Sequence, residues 1–129
     1  MLEKSVVRTE AAPAPFQGAP YSQAIKAGDL VFVSGQLAIR PGSSDLAGST
    51  IQEQTEQIFA NLRAILEAAG SGLDRLVKTT VFLVNLSDFA GMNEVYARHV
   101  GDQPPVRSTV EVAALPSGAL VEIEAVALL

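Results

Sequence analysis

The stretch Leu76–Leu86 reads LVKTTVFLVNL and contains the strongest strand pattern in this chain of 129 residues. Its β-branched residues favour an extended backbone, and apolar side chains fall on both sides of that backbone. The two alternating sets are Val77, Val81 and Leu83 on one face, and Phe82, Val84 and Leu86 on the other. A strand that is apolar on both faces needs other parts of a protein to cover both of them.

Helix and strand signals flank this stretch on both sides. A long helix is predicted to begin at Thr50, which has the capping-box spacing to Glu53, and to end at Gly70. Ser87 is positioned to cap a second helix, Asp88 to Val100. The remaining predicted strands are Leu30–Ser34, Val106–Val112 and Leu120–Leu128, with a short extended piece before the turn at Ala27-Gly28-Asp29.

This order predicts one α+β domain over residues 1–129, in which a single mixed β-sheet carries two helices on one face. Two helices leave the second face of the sheet uncovered, although Leu30–Val33 is also apolar on both sides. The simplest cover is another copy of the chain, so the sequence predicts an oligomer. The alternative is that the N-terminal tail, residues 1–14, folds over that face; Pro13 and Pro15 predict that this tail is irregular.

Composition limits the possible functions. Hydrophobic residues make up 48% of the chain and charged residues 18%, which is typical of a compact globular protein. The absence of cysteine excludes disulfides and thiolate chemistry. A net charge of −5, with scattered Lys and Arg, disfavours nucleic acid as a main partner. No apolar stretch reaches membrane-spanning length and no secretory signal begins the chain, so we expect a soluble, cytoplasmic protein.

Two charges interrupt the apolar strands near the end of the chain. Alternation places Arg107 on one face of its strand together with Thr109 and Glu111, and Glu122 on one face of the last strand with Glu124. Arginine can bind a carboxylate through two parallel hydrogen bonds, which is compatible with a pocket for an anionic ligand at a subunit boundary. The alternative is a structural salt bridge from Arg107 to Glu111 or Glu122, and spacing alone favours that alternative.

Other candidate sites are weaker. The single histidine, His99, lies late in a predicted helix, where a surface or helix-dipole role is favoured over catalysis. One histidine and no cysteine leave only carboxylates for a metal, and these have no ligand spacing, so no metal is predicted. Ser34 has no histidine near it in sequence, and its surroundings, GDLVFVSG, lack a phosphate-loop pattern, so no organic cofactor is predicted.

Three stretches together resemble the Rid family of enamine/imine deaminases, also called the YjgF or liver perchloric-acid-soluble family. They are GAPYSQAIKAGDLVFVSGQ, DFAGMNEVYARHV and PPVRSTVEVAALPSGALVEIEA, and the likeness runs from about Pro15 to Leu128. The resemblance implies a chorismate-mutase-like α+β fold assembled as a homotrimer, with sites in clefts between subunits. It also implies hydrolysis of short 2-imino acids, such as 2-iminopropanoate and 2-iminobutanoate, to 2-keto acids and ammonia without metal or cofactor.

The resemblance also implies roles for individual residues. Arg107 matches the family arginine that holds the substrate carboxylate, and Glu122 matches the glutamate that positions or activates the attacking water. Further pocket positions match Tyr21, Ser34, Gly35 and Asn93. Thr109 stands where many deaminating members carry cysteine, from which we expect an altered pocket shape or substrate range rather than lost chemistry.

Two other functions remain open at this point. One is a non-catalytic trimer that uses the same arginine pocket to bind 2-keto or fatty acids. The other is the ribonuclease or translation-inhibitor role often attached to the family, against which the net charge of −5 argues.

Overall fold

The computed structural model describes residues 2–129 and has the predicted α+β architecture with one additional strand. The strands are β1 (Lys4–Val7), β2 (Ala24–Ala27), β3 (Leu30–Gln36), β4 (Leu76–Leu83), β5 (Val106–Glu111) and β6 (Val121–Leu128). The helices are α1 (Ile51–Ala68) and α2 (Phe89–Val100). The six strands form one sheet in the order β1-β2-β3-β6-β4-β5. Because β4 and β5 are parallel and the other neighbouring pairs are antiparallel, the predicted mixed sheet is confirmed.

Helix α1 begins as the sequence predicts. The Thr50 hydroxyl accepts a hydrogen bond from the Glu53 backbone N–H at 3.1 Å, and the Glu53 carboxylate accepts one from the Thr50 N–H at 3.2 Å. The bonds from the backbone of Thr50 and Ser49 hold the pKa of Glu53 below its usual value. One stripe of α1 packs into the core between the helices and the sheet, with Ile58, Leu62, Ile65 and Leu66 fully buried.

The connection from β4 to α2 differs from the prediction. Ser87 does not cap the helix; instead the Asn85 side chain accepts a hydrogen bond from the Ser87 N–H at 2.9 Å and starts a 3₁₀ turn, Leu86–Asp88. Asparagine commonly bonds the backbone two residues ahead in this way. The prediction that the strand continues to Leu86 is therefore wrong, because β4 ends at Leu83 and the last bond towards β6 is from the Val84 N–H to the Leu120 carbonyl.

The prediction for Val77 is also wrong. A register shift between Leu76 and Lys78 in the pairing of β4 with β6 leaves Val77 in a bulge, where 40% of its surface is exposed. It therefore does not share the buried face of Val81. Such a bulge reverses the alternation from which the two apolar sets were assigned.

The prediction of an irregular tail over residues 1–14 is wrong for residues 4–7, whereas residues 8–14 contain no helix or strand. Lys4–Val7 is the edge strand β1, which pairs antiparallel with β2 and buries Val7. The prolines at 13 and 15 restrict only the segment that follows. Because β2 offers an unpaired row of backbone groups, even four residues of mixed polarity can add to the sheet.

The face of the sheet opposite the helices, called here the open face, is uncovered by residues 2–129. Strand register places Val6, Ile25, Phe32 and Val126 side by side on it. Phe32 keeps 45% of its surface exposed and Val110 keeps 42%. The alternative in which the N-terminal residues cover this face is therefore wrong, and the predicted oligomer stays a prediction. No helix within residues 2–129 combines the length and apolarity needed to cross a membrane.

Candidate functional site

The predicted site residues lie in two separate groups on opposite faces of the sheet. The first group, called here the carboxylate half-site, consists of Tyr21, Ser34, Gly35 and Glu122 and lines a cleft at one end of the open face. The second group, the arginine half-site, consists of Asn93, Arg107 and Thr109 and lies on the helix side.

A bulge in β3 builds the carboxylate half-site. Strand β3 pairs with β6 up to Val33 opposite Ala125 and resumes with Gln36 opposite Ile123, so that Ser34 and Gly35 share one partner position. Such bulges bend a strand and re-aim its backbone beside functional sites. The sequence signal for this bulge is Gly35, because a glycine inside a strand pattern often marks a bulge.

The bulge brings the backbone of Gly35 directly against the carboxylate of Glu122. A Cβ atom built at position 35 would lie 2.9 Å from the Glu122 carboxyl carbon and would overlap its Oε1 oxygen. Only glycine fits here without moving Glu122. The fold therefore brings Gly35 into contact with the Glu122 carboxylate, and any side chain at position 35 would displace that carboxylate.

The backbone around the bulge is tied to the segment that precedes β2. The Ser34 hydroxyl donates to the Ser22 carbonyl at 2.6 Å, and the Ser34 N–H donates to the Gln23 carbonyl at 3.0 Å. The Tyr21 hydroxyl accepts a hydrogen bond from the Phe16 N–H. Ser34 and Tyr21 thus hold the wall of the cleft in addition to facing it.

Sequence reasoning missed Gln23, which anchors the N-terminal segment to this wall. Its buried side chain accepts from the Thr9 N–H at 2.8 Å and donates to the carbonyls of Thr9 and Pro13 at 3.0 and 2.8 Å. These bonds replace those that a buried amide would otherwise make to water. They fix the segment between β1 and Phe16 against the wall of the cleft. No local sequence pattern predicts a side chain with so many backbone partners.

The cleft has a volume of about 880 Å³. Its apolar wall includes Phe16, Leu37 and Pro116. Two non-glycine residues on its rim, Gln17 and Ser117, have φ angles of 53° and 60°. This left-handed conformation is strained for residues with a Cβ, and such strain clusters at functional sites.

The charge in the cleft is negative. Its titratable lining residues within the described chain are Tyr21, Glu122 and Glu124, with no lysine or arginine among them. Burial raises the pKa of Glu122 above its usual value, and the neighbouring charge of Glu124 raises it further. A carboxyl group with increased proton affinity is suited to accept a proton near neutral pH.

In the arginine half-site, Arg107 projects from the edge strand β5 towards α2. It pairs with Thr79, which in turn pairs with Ala125 on the helix side of β6. Its guanidinium donates to the Asn93 Oδ1 at 2.8 Å and lies 4.7 Å from the centre of the Tyr96 ring. The cation is therefore held by an amide and an aromatic face.

Arg107 forms no ion pair with any carboxylate in residues 2–129. Glu111 instead accepts a hydrogen bond from the Leu86 N–H at 2.9 Å, and Glu122 lies on the opposite face of the sheet. The alternative of a structural salt bridge to either glutamate is therefore wrong.

Sequence reasoning also missed the aromatic residues around this cation. Phe89 lies 5.3 Å from the guanidinium, and it shares one face of α2 with Asn93 and Tyr96. Their spacing of four and three residues is the signal from which all three could have been assigned to one surface.

Thr109 follows Arg107 by two residues on the same face of β5. Its hydroxyl oxygen is buried, and it has no hydrogen-bond partner within residues 2–129. An unpaired buried hydroxyl destabilises a fold by about 1–3 kcal/mol. The position where the chain departs from the common family residue is thus a polar group without a partner.

One chain does not bring the two half-sites together. Arg107 points to the helix side of the sheet, whereas Glu122 points to the open face, where its neighbour on β4 is Phe82. A pocket containing both groups requires the arginine half-site of one copy and the carboxylate half-site of another.

His99 belongs to neither half-site. Its ring stacks on Phe59 at 4.7 Å, and its Nε2 lies 3.0 Å from the Glu56 carboxylate on α1. These contacts connect α2 to α1, as a structural rather than a catalytic histidine would. Within residues 2–129, His, Asp and Glu side chains form no group of three that could hold a metal ion.

Comparison with known proteins agrees with this architecture. The model of the family described as Endoribonuclease L-PSP matches residues 9–129. A RutC family protein of Pyrococcus horikoshii is 49% identical over 96% of this chain and 97% of its own. The chloroplastic Reactive Intermediate Deaminase A of Arabidopsis thaliana is 46% identical over 99% of this chain and 67% of its own. A crystal structure of E. coli TdcF with bound serine has a TM-score of 0.89 and 36% identity, covering 97% of this chain and 98% of that one.

Proposed function

The chain belongs to the Endoribonuclease L-PSP family, also known as the Rid or YjgF family, and from that premise we propose that it is a 2-imino-acid deaminase. The reaction is hydrolysis of short 2-imino acids, such as 2-iminopropanoate and 2-iminobutanoate. Water adds to the C=N carbon, and the resulting carbinolamine releases ammonia and leaves a 2-keto acid. One relative bears the name Reactive Intermediate Deaminase A, which is consistent with this reaction.

The observation that carries the proposal is the free cation of Arg107. Its guanidinium is oriented by Asn93 at 2.8 Å and by the ring of Tyr96, but no carboxylate of residues 2–129 neutralises it. A substrate carboxylate supplies the missing anion, and a two-point arginine clamp fixes its orientation. The relative TdcF binds serine, a ligand of similar size that also carries a carboxylate.

Glu122 is the proposed general base. Its raised pKa makes it a better proton acceptor. It lies against Gly35, which has no side chain to obstruct the approach of a substrate. It removes a proton from the attacking water and returns one to the departing amine, a role worth about 10²–10⁴-fold in rate. Clamping the substrate makes the attack effectively intramolecular.

We propose that the complete site forms between copies in a homotrimer. Within one chain Arg107 and Glu122 point to opposite sides of the sheet and cannot share a pocket. In the proposed trimer, Arg107 of one copy and Glu122 of the next face the same pocket. Burial of the apolar open face, including Phe32 and Val110, provides the driving force for association.

The test is a coupled assay in which an amino-acid oxidase or a threonine dehydratase generates the imine. We expect the protein to accelerate keto-acid formation, and Arg107→Ala to lower this acceleration by at least about 10²-fold, because the substrate loses its orientation. The control is Arg98→Ala, which removes an exposed arginine paired with Glu56 on the helices. Unchanged imine clearance by a folded Arg107→Ala variant refutes the assignment. Binding of 2-keto acids by wild-type protein without any acceleration supports the non-catalytic alternative instead.

A further inference from the structure

The cleft contains a second carboxylate that the proposed reaction does not use. Glu124 follows Glu122 by two residues on β6, and both line the cleft. We propose that Glu124 is a positioning residue for the proposed deamination, and that its charge sets the pH range in which Glu122 acts as the base. The inference rests on the proposed function, since it assigns a role relative to that base.

Strand geometry places the two carboxylates side by side. Ile123 between them is fully buried towards the helices, so Glu122 and Glu124 both project to the open face. Neighbouring positions on one face of a strand are about 7 Å apart. The bulge at Ser34 and Gly35 stands opposite Glu124 in the pairing of β3 with β6.

The other groups of the same chain that face this pair are mostly uncharged. On β3 and β4 they are Ser34, Gly35, Thr80 and Phe82. Tyr21 contributes a phenol from the N-terminal wall, and the turn at Pro116 and Ser117 contributes no charge. In the proposed trimer the one added charge is Arg107 of the next copy, which binds the substrate carboxylate.

Lys78 is the cation nearest in register, since it pairs with Val126 on the same face of the sheet. It lines a small cavity with Glu124 but forms no ion pair with it within residues 2–129. Within one chain the charge of Glu124 is therefore not cancelled by a close partner, and it acts on Glu122. The pKa of Glu122 agrees in direction: burial raises it most, and Glu124 raises it further.

This arrangement has a chemical consequence. A general base is most effective when its proton affinity matches the working pH, and a neighbouring negative charge increases that affinity. Glu124 is exposed, so water and salt screen its effect and keep it moderate. Glu124 thus tunes the base without contacting the substrate.

The test is the pH dependence of kcat/KM for wild type, Glu124→Gln and Glu124→Asp. Removing the charge lowers the proton affinity of Glu122, so we expect the acid limb of Glu124→Gln to move to lower pH. On that limb the variant keeps about two- to threefold more of its plateau activity than wild type, and added salt diminishes the difference. Glu124→Asp retains the charge and restores the wild-type profile. Glu67→Gln, an equal charge change at an exposed position of α1, leaves the profile unchanged.

A second measurement separates this inference from the proposed function. The Glu122 carboxyl carbon is titrated by NMR in wild type and in Glu124→Gln, and we expect its midpoint to fall in the variant whether or not the protein deaminates imines. The inference is overturned if the enzyme is active but Glu124→Gln changes neither its pH profile nor the titration of Glu122. The proposed function is unaffected by that result. Wild-type protein without deaminase activity overturns the function, and the NMR titration then decides whether the two carboxylates are coupled.

Discussion

The two half-sites are built by different means. In the carboxylate half-site, the backbone of β3, the segment before β2 and the side chain of Gln23 are joined by hydrogen bonds of 2.6–3.0 Å. In the arginine half-site, one cation on an edge strand is held by Asn93 and by an aromatic ring of α2. Within residues 2–129, the carboxylate half-site is a cleft whose lining has no lysine or arginine. The arginine half-site holds a cation that no carboxylate neutralises.

This difference keeps the two opposite charges apart within one chain. If Arg107 and Glu122 met within one chain, they would neutralise each other, as the salt-bridge alternative assumed. Their location on opposite faces prevents that pairing. In the site proposed above, association of copies is the step that brings both groups to one pocket.

The largest expected effect comes from mixing two inactive variants. Arg107→Ala and Glu122→Gln each damage one half-site, so we expect each homo-oligomer to be inactive. Unfolding and refolding them together at equal concentrations should restore about a quarter of wild-type activity, because random assembly in a closed ring joins an intact arginine to an intact glutamate in about one pair in four. Activity is measured with the coupled imine assay.

Matched controls make this result specific. Each variant refolded alone should stay inactive, and a double variant mixed with wild type should yield no more activity than the wild-type share explains. Absence of recovery in mixed oligomers of demonstrated composition would show that both half-sites act within a single chain or that neither is used.

A second, smaller effect concerns the contact between Gly35 and Glu122. Gly35→Ala introduces a Cβ that overlaps the Glu122 carboxylate, so the base must move. We expect kcat/KM to fall by about 10²-fold, because a displacement near 1 Å of a catalytic group has effects of this size. Gly28→Ala is the control, since a Cβ there meets open space and only the backbone conformation resists it. A fully active, folded Gly35→Ala variant would remove Glu122 from the reaction.

The fold could be read from the sequence where local signals were consistent. The capping box at Thr50 and the apolar stripe of α1 predicted the helix correctly, because cap and periodicity gave the same boundary. The bulge at Val77 and the strand at Lys4–Val7 could not be read, since both depend on pairing with distant strands. Register is a tertiary property, and a single strand does not encode it.

The candidate site was readable only in part. Family resemblance singled out Arg107, Glu122 and Gly35 as candidates, but the separation of Arg107 from Glu122 onto opposite faces follows from the pairing register of β4 with β5 and β6. The hub at Gln23 has no local signal, since its partners lie 10–14 residues earlier in the chain. Sequence patterns thus predicted candidate residues, whereas tertiary pairing determines which of them meet.

Thr109 gives a third prediction, which concerns the stability of the arginine half-site. Thr109→Val replaces the unpartnered hydroxyl by a methyl of similar shape, so we expect the free energy of unfolding to rise by about 1 kcal/mol, as measured by urea denaturation. Thr80→Val, a change at a half-exposed threonine of β4, should have a smaller effect. A loss of stability in Thr109→Val would show that the hydroxyl has a partner in the assembled protein.

The smallest expected effect concerns the stability of the carboxylate half-site. Because the folded protein raises the pKa of Glu122, the stabilisation linked to its proton is complete below the unfolded pKa and is lost as pH rises through the folded pKa. Glu122→Gln imitates the protonated form, so we expect its Tm to exceed that of wild type by about 1–2 °C near pH 7 and to match it near about pH 4. The pKa of Glu53 is lowered instead, so Glu53→Gln should lower Tm at neutral pH, with the difference vanishing on acidification. If calorimetry showed that Glu122→Gln also lowers Tm at neutral pH, the cleft would stabilise the charge of Glu122. A base with lowered proton affinity would not suit the proposed reaction.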